Sequence, residues 1–319
     1  MRALLCESLD GPDGLVFRDV PKPAAGPGQV LVRVKFAALN FMDTLITRGK
    51  YQRKPELPFS PGAEFAGVVE GGDGFAPGAR VMGWIGWGAA REMVAVPANR
   101  LVEIPDGVGD ETAAGLAVTY GTAIHALQTR AAIRPGETLA VLGASGGAGL
   151  AAVEVGKLLG ARVIACASSA DKLAEAARHG ADDGVNYENE DLKQALKALT
   201  GGRGVDVVYD PVGGALSEAA LRATGWGGRY LVVGFASGEI PQIPANLLLV
   251  KGSSLVGVHW GSSEMDPLVT RAELAGLLAH VAAGRLSPQI HGIFPLAQAR
   301  EAFAEIENRR AKGKVLLRL

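Results

Sequence analysis

The chain has 319 residues, 44 of them glycine, a hydrophobic share of 48% and a formal net charge of −1 from 32 basic and 33 acidic residues. This length allows about two domains. The balanced charge argues against binding to nucleic acid, to an anionic membrane or to an acidic partner. No apolar run approaches the ~18 residues of a membrane span, and the amino terminus lacks the apolar core of a signal peptide, so we expect a soluble, cytoplasmic protein.

The cysteines and histidines form no recognisable ligand pattern. Cys6 and Cys166 are the only cysteines, and neither has a CxxC partner. The five histidines include no HExxH motif. We therefore expect neither a disulfide framework nor a protein-bound metal ion.

The amino-terminal third reads as short strands separated by Gly and Pro turns. The segment 30–36 is typical, because its apolar residues alternate with other residues up to Phe36. Such alternation indicates half-buried β-strands. We predict a β-barrel domain whose first part covers residues 1–115.

From residue 112 onward the pattern changes to alternating helices and strands. This alternation predicts a doubly wound α/β domain with a parallel sheet over residues 116–257. The predicted helices are 112–131, 147–159, 171–179 and 191–200, and the predicted strands are 138–142, 162–167, 205–209, 230–233 and 254–258. Residues 258–319 contain helices near 271–283 and 296–308, a short segment at 291–294 and a strand-like tail at 314–319, which we expect to return to the β domain.

The strongest local motif is a glycine-rich turn, Gly143-Ala144-Ser145-Gly146-Gly147-Ala148-Gly149, between a buried strand and a helix. Glycines let the backbone turn sharply and approach a pyrophosphate, and the first amides of the helix bind negative charge. The turn therefore predicts a dinucleotide site formed by Ser145, Gly146, Gly147, Ala148 and Gly149.

Two alternatives remain for this turn. The same residues match the GxSxG nucleophile elbow of a serine hydrolase, with Ser145 as the nucleophile and Asp210 and His259 following in the required order. The β-rich first third is wrong for that hydrolase fold. The other alternative is a structural turn that binds nothing.

The strand after the turn indicates which nucleotide is preferred. An NADH site usually ends this strand with Asp or Glu, about 20 residues beyond the glycines, to bind the ribose 2′-hydroxyl. Here the strand ends as Ala167-Ser168-Ser169, without an acid, and Lys172 follows. Because Ser168, Ser169 and Lys172 can donate hydrogen bonds to a 2′-phosphate, we predict NADPH as the cofactor. Alternatively, Lys172 is a solvated residue in the first turn of a helix.

Five further segments are distinctive in their order along the chain. They are Leu39-Asn40-Phe41-Met42-Asp43, Pro61-Gly62-Ala63-Glu64-Phe65-Ala66-Gly67, Val118-Thr119-Tyr120-Gly121-Thr122-Ala123, Val207-Val208-Tyr209-Asp210-Pro211-Val212-Gly213-Gly214 and Val232-Val233-Gly234-Phe235. Together with the glycine turn, they resemble the zinc-free quinone oxidoreductase branch of the medium-chain dehydrogenase/reductase superfamily. The resemblance covers essentially the whole chain.

The resemblance implies a GroES-like β-barrel catalytic domain formed by both chain ends, a Rossmann domain inserted between them, and an active site in the cleft between the two. It also implies that zinc is absent. Asn40 and Ala63 stand where zinc-dependent relatives have a cysteine and a histidine, and the four-cysteine lobe of those relatives is missing. Without these ligands, metal-assisted alcohol oxidation is not expected.

The resemblance also implies catalytic residues. In similar proteins the residues that match Asn40 and Tyr51 face the nicotinamide and the substrate, and the threonine that matches Thr119 lies close to the carboxamide. Asp43, from the same segment as Asn40, is the fourth candidate. Structural alternatives remain: Asn40 and Asp43 as helix caps, Thr119 bonded to its own helix, and Tyr51 in an exposed loop.

A set of cofactor-binding residues follows from the same resemblance. Gly146, Gly147 and Gly149 are expected at the pyrophosphate, Ser168 and Lys172 at the 2′-phosphate, Tyr187 at the adenosine ribose-phosphate, Phe235 and Ser237 beside the nicotinamide, Thr119 at its carboxamide, and Arg309 near the cofactor phosphate. Val233 and Gly234, just before Phe235, are also expected to bind the cofactor. For Arg309, surface charge near a helix end is the alternative.

The predicted function is the transfer of a hydride from NADPH to a small acceptor, a quinone or an α,β-unsaturated carbonyl compound, without zinc. An enoyl-CoA reductase, a non-catalytic NADPH-binding protein and the Ser145 hydrolase remain alternatives. We expect strand 254–258 at a sheet edge, where it would pair with a second copy of the chain to form a homodimer.

Overall fold

The structure is a computed structural model that describes residues 1–261 and 264–319. The chain forms two compact units, Met1–Gly121 with Gly261–Leu319, and Thr122–Trp260. It changes units at 121/122 and 260/261, compared with 115/116 and 257/258 in the division expected from the sequence. Within the described residues, no helix is both long enough and apolar enough to cross a membrane.

The strands of the described residues are β1 (Arg2–Cys6), β2 (Leu15–Asp19), β3 (Gln29–Leu39), β4 (Glu64–Gly72), β5 (Arg80–Trp84), β6 (Met93–Pro97), β7 (Leu101–Glu103), β8 (Thr138–Leu142), β9 (Arg162–Ala167), β10 (Asp183–Asn186), β11 (Val205–Asp210), β12 (Thr224–Val232), β13 (Ser254–Gly257), β14 (Ile290–Pro295) and β15 (Lys314–Arg318). The helices are α1 (Phe41–Ile46), α2 (Asp110–Ala114), α3 (Ala117–Ile124), α4 (Gly147–Leu158), α5 (Ala170–Arg178), α6 (Leu192–Leu199), α7 (Ala215–Arg222), α8 (Asn246–Leu249), α9 (Pro267–Ala282) and α10 (Ala299–Glu307). A π-helical segment, His125–Arg130, continues α3, and short 3-10 turns cover Pro12–Gly14, Ala98–Arg100 and Leu296–Gln298.

The first unit is built on a seven-stranded sheet in which β14, β15, β3, β4, β5 and β7 lie side by side and β6 pairs with β3. β15 runs antiparallel to β3, with Val315 opposite Leu39. β1 and β2 form a separate two-stranded sheet. Both chain ends therefore contribute to one β domain, as the resemblance implied.

Strand β3 connects two apolar clusters of this unit. Val30, Val32 and Val34, which are two residues apart and so share one face of the strand, join the cluster that contains residues of β4 to β7. Leu39, at the other end, packs in a second cluster with Ile46 of α1. The residue between strand and helix is Asn40, which is thereby fixed at a buried junction.

The second unit contains a six-stranded sheet with the order β10, β9, β8, β11, β12, β13. Every neighbouring pair in it is parallel. All five residues of β8 are buried, as expected for a parallel sheet covered by helices on both faces. The strand order reverses beside β8, and ligands of such sheets bind at the carboxyl ends of the strands near this reversal. The doubly wound α/β prediction is confirmed.

Some elements differ from the sequence prediction. The helix expected over 112–131 is divided at Gly115, which ends α2, and finishes as the π-helical segment. Strand β10 was not predicted, because Asp, Gly and Asn are uncommon in strands and only Val185 in it is buried. Helix α7 was missed because it follows Gly213-Gly214, a pair with positive φ angles that indicates a loop. The short helix α8 was not predicted either.

Candidate active site

Asn40 and Asp43 organise the junction between β3 and α1. Asn40 occupies the N-cap of α1, and Asp43 is the third residue of the helix. One Asp43 oxygen accepts a hydrogen bond from the Asn40 backbone at 2.8 Å, and the other accepts one from the Gly62 backbone at 2.9 Å. The bond between the Asp43 carboxylate and the Asn40 backbone belongs to a capping box, and the bond to Gly62 connects α1 to the segment before β4.

The Asp43 carboxyl has no exposed surface. Burial raises its pKa to about 6, although the two backbone hydrogen bonds oppose this shift. Both of its oxygens accept hydrogen bonds from backbone N–H groups. The carboxyl therefore fixes the backbone around Asn40. A direct catalytic role for Asp43 stays a prediction.

The Asn40 side chain lies in a buried charged network that the sequence analysis did not select. Its Nδ2 donates to Glu64 Oε1 at 3.1 Å, and its Oδ1 accepts from Lys314 Nζ at 2.5 Å. Lys314 Nζ also donates to Glu64 Oε1 at 2.7 Å and to the Leu39 carbonyl at 3.3 Å. Lys314 is 4% exposed and Glu64 0%, and ions this buried are found in proteins only when they are paired.

Glu64 also anchors the start of α3. Its second carboxylate oxygen accepts a hydrogen bond from the Val118 backbone at 2.7 Å. The next residue, Thr119, is buried, and its hydroxyl donates to the Gly115 carbonyl at 3.2 Å. The Asn40 side chain and the backbone next to Thr119 therefore bind the same carboxylate, that of Glu64. Thr119 makes a hydrogen bond within its own chain segment, which is the structural alternative considered for it.

Tyr51 follows α1 and is half-buried. It packs with Met42 and Trp87 against the apolar cluster that contains Leu39. Burial raises the pKa of its phenol above the ordinary value. The hydroxyl is therefore protonated at neutral pH, which a proton donor requires.

Arg309 lies in the first unit, just after α10, with φ of +55°. A left-handed backbone is uncommon for a residue with a side chain and usually belongs to glycine at this position of a helix end. The proposed contact with a cofactor phosphate stays a prediction.

In the second unit, the glycine turn leads from β8 into α4. A Cβ atom added to Gly149 would lie 2.1 Å from the Gly143 carbonyl oxygen, so only glycine fits between helix and turn. Gly146 is the N-cap of α4, and no side chain caps the helix. The first amides of this twelve-residue helix and its dipole therefore fit a pyrophosphate.

The carboxyl end of β9 carries the residues predicted for a 2′-phosphate. Lys172 Nζ donates to Ser168 Oγ at 3.1 Å, and Ser169 caps α5. The backbone N–H of Tyr187 donates to the Ala167 carbonyl at 3.2 Å. Ser168, Lys172 and Tyr187 thus lie at one corner of the sheet, where an ammonium and a hydroxyl fit a phosphate.

The segment after β12 lies beside the end of β11. Val233 and Gly234 donate backbone hydrogen bonds to the Asp210 carbonyl, and Ser237 donates one to the Val212 carbonyl. A Cβ atom added to Gly213 would lie 3.0 Å from the Phe235 ring, so the ring packs against Gly213. These residues, which were predicted to bind the cofactor, therefore lie at the carboxyl ends of parallel strands, as a ligand site in this fold requires.

Comparisons with known proteins agree with this architecture. Residues 26–106 match the family model of the alcohol dehydrogenase GroES-like domain, and residues 147–274 match that of the zinc-binding dehydrogenase. Quinone oxidoreductase-like protein 2 from Bos taurus is 42% identical over 325 residues, which cover 100% of this chain and 92% of that protein. The chain belongs to the quinone oxidoreductase branch of the medium-chain dehydrogenase/reductase superfamily. It is thus a member of an oxidoreductase family.

Solved structures of quinone oxidoreductases are similar to this chain along their whole length. The Escherichia coli enzyme complexed with NADPH has a TM-score of 0.93 and 27% identity, with 100% of both chains covered. The Thermus thermophilus enzyme, solved alone and with NADPH, has a TM-score of 0.85 and 34% identity, again with 100% of both chains covered.

Two positions that hold zinc ligands in zinc-dependent relatives, Asn40 and Ala63, have no such role in view in this quinone oxidoreductase family member. Asn40 is bound to Glu64 and Lys314, and Ala63 is buried. Across residues 1–261 and 264–319, no group of three or more His, Cys, Asp or Glu side chains could hold a metal ion. Independence from zinc stays a prediction.

The hydrolase alternative requires the Asp210 carboxylate to accept a hydrogen bond from a histidine of a catalytic triad. Its Oδ1 accepts hydrogen bonds from the Val212 and Gly213 backbones at 2.7 and 2.9 Å. Its Oδ2 accepts from Ser217 Oγ at 2.8 Å and from the Tyr230 hydroxyl. These four donors stabilise the turn after β11, and the geometry of Asp210 gives no support to a triad with Ser145.

Proposed function

We propose that the chain binds NADPH and reduces a quinone or an α,β-unsaturated carbonyl compound by hydride transfer, without a protein-bound zinc ion. The observation that carries the proposal is the end of β9, where Lys172 donates to Ser168 and no carboxylate ends the strand. An acid at this place would repel a 2′-phosphate, whereas an ammonium and a hydroxyl attract it. The NADPH complexes of the Escherichia coli and Thermus thermophilus relatives support this choice.

When bound, the reduced nicotinamide supplies a hydride. The residues of the second unit provide binding and orientation. The amides at the start of α4 neutralise the pyrophosphate, and Ser168, Lys172 and Tyr187 bind the adenosine end. This division of labour leaves no covalent step to the protein, and its contribution is the positioning of the reactants.

The acceptor is assigned to residues of the first unit. The Asn40 amide donates a hydrogen bond to the acceptor oxygen, on which negative charge develops. Tyr51, which is protonated at neutral pH, or water then supplies a proton. Asp43 contributes by fixing the backbone at Asn40.

The experiment is an absorbance assay at the reduced nicotinamide band. We expect the purified protein to oxidise NADPH with at least one member of a panel of quinones, enones and enoyl-CoA thioesters, and to use NADH less well. Activity with thioesters alone would assign the enoyl-CoA alternative. Tight NADPH binding without turnover would identify a non-catalytic binding protein, and ester cleavage without NADPH that Ser145→Ala abolishes would identify a hydrolase.

We also propose a homodimer that pairs two copies of β13. This strand is the edge of the parallel sheet, and an uncovered edge presents unpaired backbone groups. Large apolar side chains are exposed on or close to it in the second unit: Leu255 on β13, Trp226, whose ring lies beside Gly252, and Leu249 and Val250 just before the strand. Trp226 is 84% and Leu249 81% exposed, and an apolar patch of this kind marks a protein interface.

A further inference from the structure

The amide of Asn40 is held at both ends by opposite charges. Its Oδ1 faces the Lys314 ammonium at 2.5 Å, and its Nδ2 faces the Glu64 carboxylate at 3.1 Å. A flipped amide would set its NH₂ against an ammonium, which cannot accept a hydrogen bond, and its oxygen against a carboxylate, which cannot donate one. The ion pair therefore allows only one orientation of the amide.

We propose that Glu64 and Lys314 are positioning residues that fix the Asn40 amide with one Nδ2–H free to donate to the oxygen of the acceptor. This inference rests on the proposed function, because it assumes that Asn40 contacts the acceptor. Glu64 belongs to one of the family segments and Lys314 to the strand-like tail, and neither was among the expected site residues.

The two charges act in opposite directions on the strength of the amide as a donor. The ammonium at Oδ1 withdraws electron density from the amide and the carboxylate at Nδ2 opposes this effect, so the ion pair fixes the direction of the free N–H rather than its strength. A fixed donor stabilises an oxygen that gains negative charge during reduction. Oxidation of an alcohol needs a group that accepts the hydroxyl proton, and an amide N–H cannot accept it. The network therefore favours the reduction of carbonyl and quinone acceptors.

Burial makes this orientation rigid. Lys314 and Glu64 are almost fully buried, and removing either partner would leave an unpaired ion in a low-dielectric interior. The aliphatic part of the Lys314 side chain packs against Gly115, where an added Cβ would lie 3.1 Å from Lys314 Cγ. Because Glu64 Oε2 also binds the Val118 backbone, one ion pair supports both the Asn40 junction and the start of α3.

The test is a double-mutant cycle on kcat for an enone at saturating NADPH. We expect Glu64→Gln to lower kcat about 10- to 100-fold in the natural chain, as losses of supporting residues around a site commonly do. In the Asn40→Ala background, the same change should lower kcat by less than about twofold, because the group that Glu64 orients is gone. Losses that multiply in the double variant would overturn the proposal.

Lys314→Arg and Asp110→Asn are the matched variants. Arginine retains the charge and a donor for Asn40, so we expect Lys314→Arg to recover more activity than Lys314→Met. Asp110 accepts hydrogen bonds from Lys35 and Arg80 in the same unit, at 2.7 and 2.8 Å. Its replacement should lower the Tm and leave kcat unchanged, whereas a fall in kcat equal to that of Glu64→Gln would show that general destabilisation explains both.

A second measurement covers variants that do not fold. In the natural chain labelled with ¹⁵N-asparagine, the Asn40 side-chain signal, assigned by its loss in Asn40→Ala, should have one downfield, slowly exchanging proton bound to the carboxylate. Two ordinary, rapidly exchanging protons would overturn the proposal. If the natural chain fails to oxidise NADPH with every acceptor tested, the proposed function fails and this inference fails with it. If the natural chain is active but the losses in kcat of the two single variants multiply in the double variant, only this inference is refuted.

Discussion

Gly149 marks the closest approach of α4 to the glycine turn. A Cβ atom there would lie 2.1 Å from the Gly143 carbonyl oxygen and 2.7 Å from Ala144 Cα. Both are backbone atoms and cannot rotate away, so Gly149→Ala must open the turn. We expect a loss in the free energy of unfolding at or above the ~1–3 kcal/mol of an overpacked core, together with weaker NADPH binding, measured by urea unfolding and by titration.

Gly276→Ala is the control for this prediction. Gly276 lies in the middle of α9, and a Cβ there would meet no atom within 4 Å. Alanine is the better helix former by about 0.5–1 kcal/mol, so this variant should be as stable as the natural chain or more stable. Equal losses in the two variants would contradict the close-approach explanation.

At the same scale, some features of the candidate site could be predicted from the sequence and others could not, for a physical reason. The glycine turn is local, because its chemistry depends on seven consecutive residues, and it could be predicted from them. Glu64 and Lys314 are 250 residues apart, and no local pattern indicates that they pair. Glu64 lies in one of the distinctive segments and Lys314 begins the strand-like tail, and a charge at the edge of an apolar strand indicates a buried partner without identifying it.

At the scale of elements, His179 connects α5 to α4. Its Nδ1 lies 2.5 Å from Glu154 Oε1, and its Nε2 lies 3.5 Å from Glu175 Oε1. The hydrogen bond with Glu154 raises the pKa of His179 above 6.5, although burial opposes the shift. The protonated imidazole therefore stabilises the folded state fully below pH 6.5, and this contribution is lost as the pH rises through the raised pKa.

We expect the difference in unfolding free energy between the natural chain and His179→Gln to shrink as the pH rises above 6.5. Urea unfolding at several pH values between about 6 and 9 measures it. Glu154→Gln, which removes the partner that raises the pKa, should flatten the dependence in the same way. A difference that stays constant across this range would show that His179 is not charged in the folded state.

Elements were predictable where one physical signal dominated. β8 and β9 have the bounds predicted from their continuous apolar residues, because both faces are buried. β10 depends on its pairing with β9, and the division of the helix over 112–131 depends on a backbone turn at Gly115. The formation of β10 and the division of this helix depend on tertiary pairing and on backbone conformation. The hydrophobic pattern of the sequence predicts neither.

At the scale of the whole molecule, the proposed dimer depends on the edge strand β13. Leu255→Lys would place a charge in the middle of the apolar edge, and like charges would then meet across the two-fold axis. We expect the natural chain to sediment as a dimer and this variant as a monomer. Leu268→Lys is the control, because Leu268 is a still more exposed leucine on α9, in the first unit, and this variant should remain a dimer. A natural chain that stays monomeric at all concentrations would refute the dimer.

We propose above all that the second unit binds NADPH through the start of α4 and the Ser168–Lys172 pair. Calorimetric titration of the folded natural chain with NADPH and with NADH tests it directly. We predict tighter binding of NADPH, and a loss of about tenfold or more in Lys172→Ala, the value of one charge-assisted hydrogen bond, with NADH little affected. Heat changes that show no binding of either nucleotide would contradict the account.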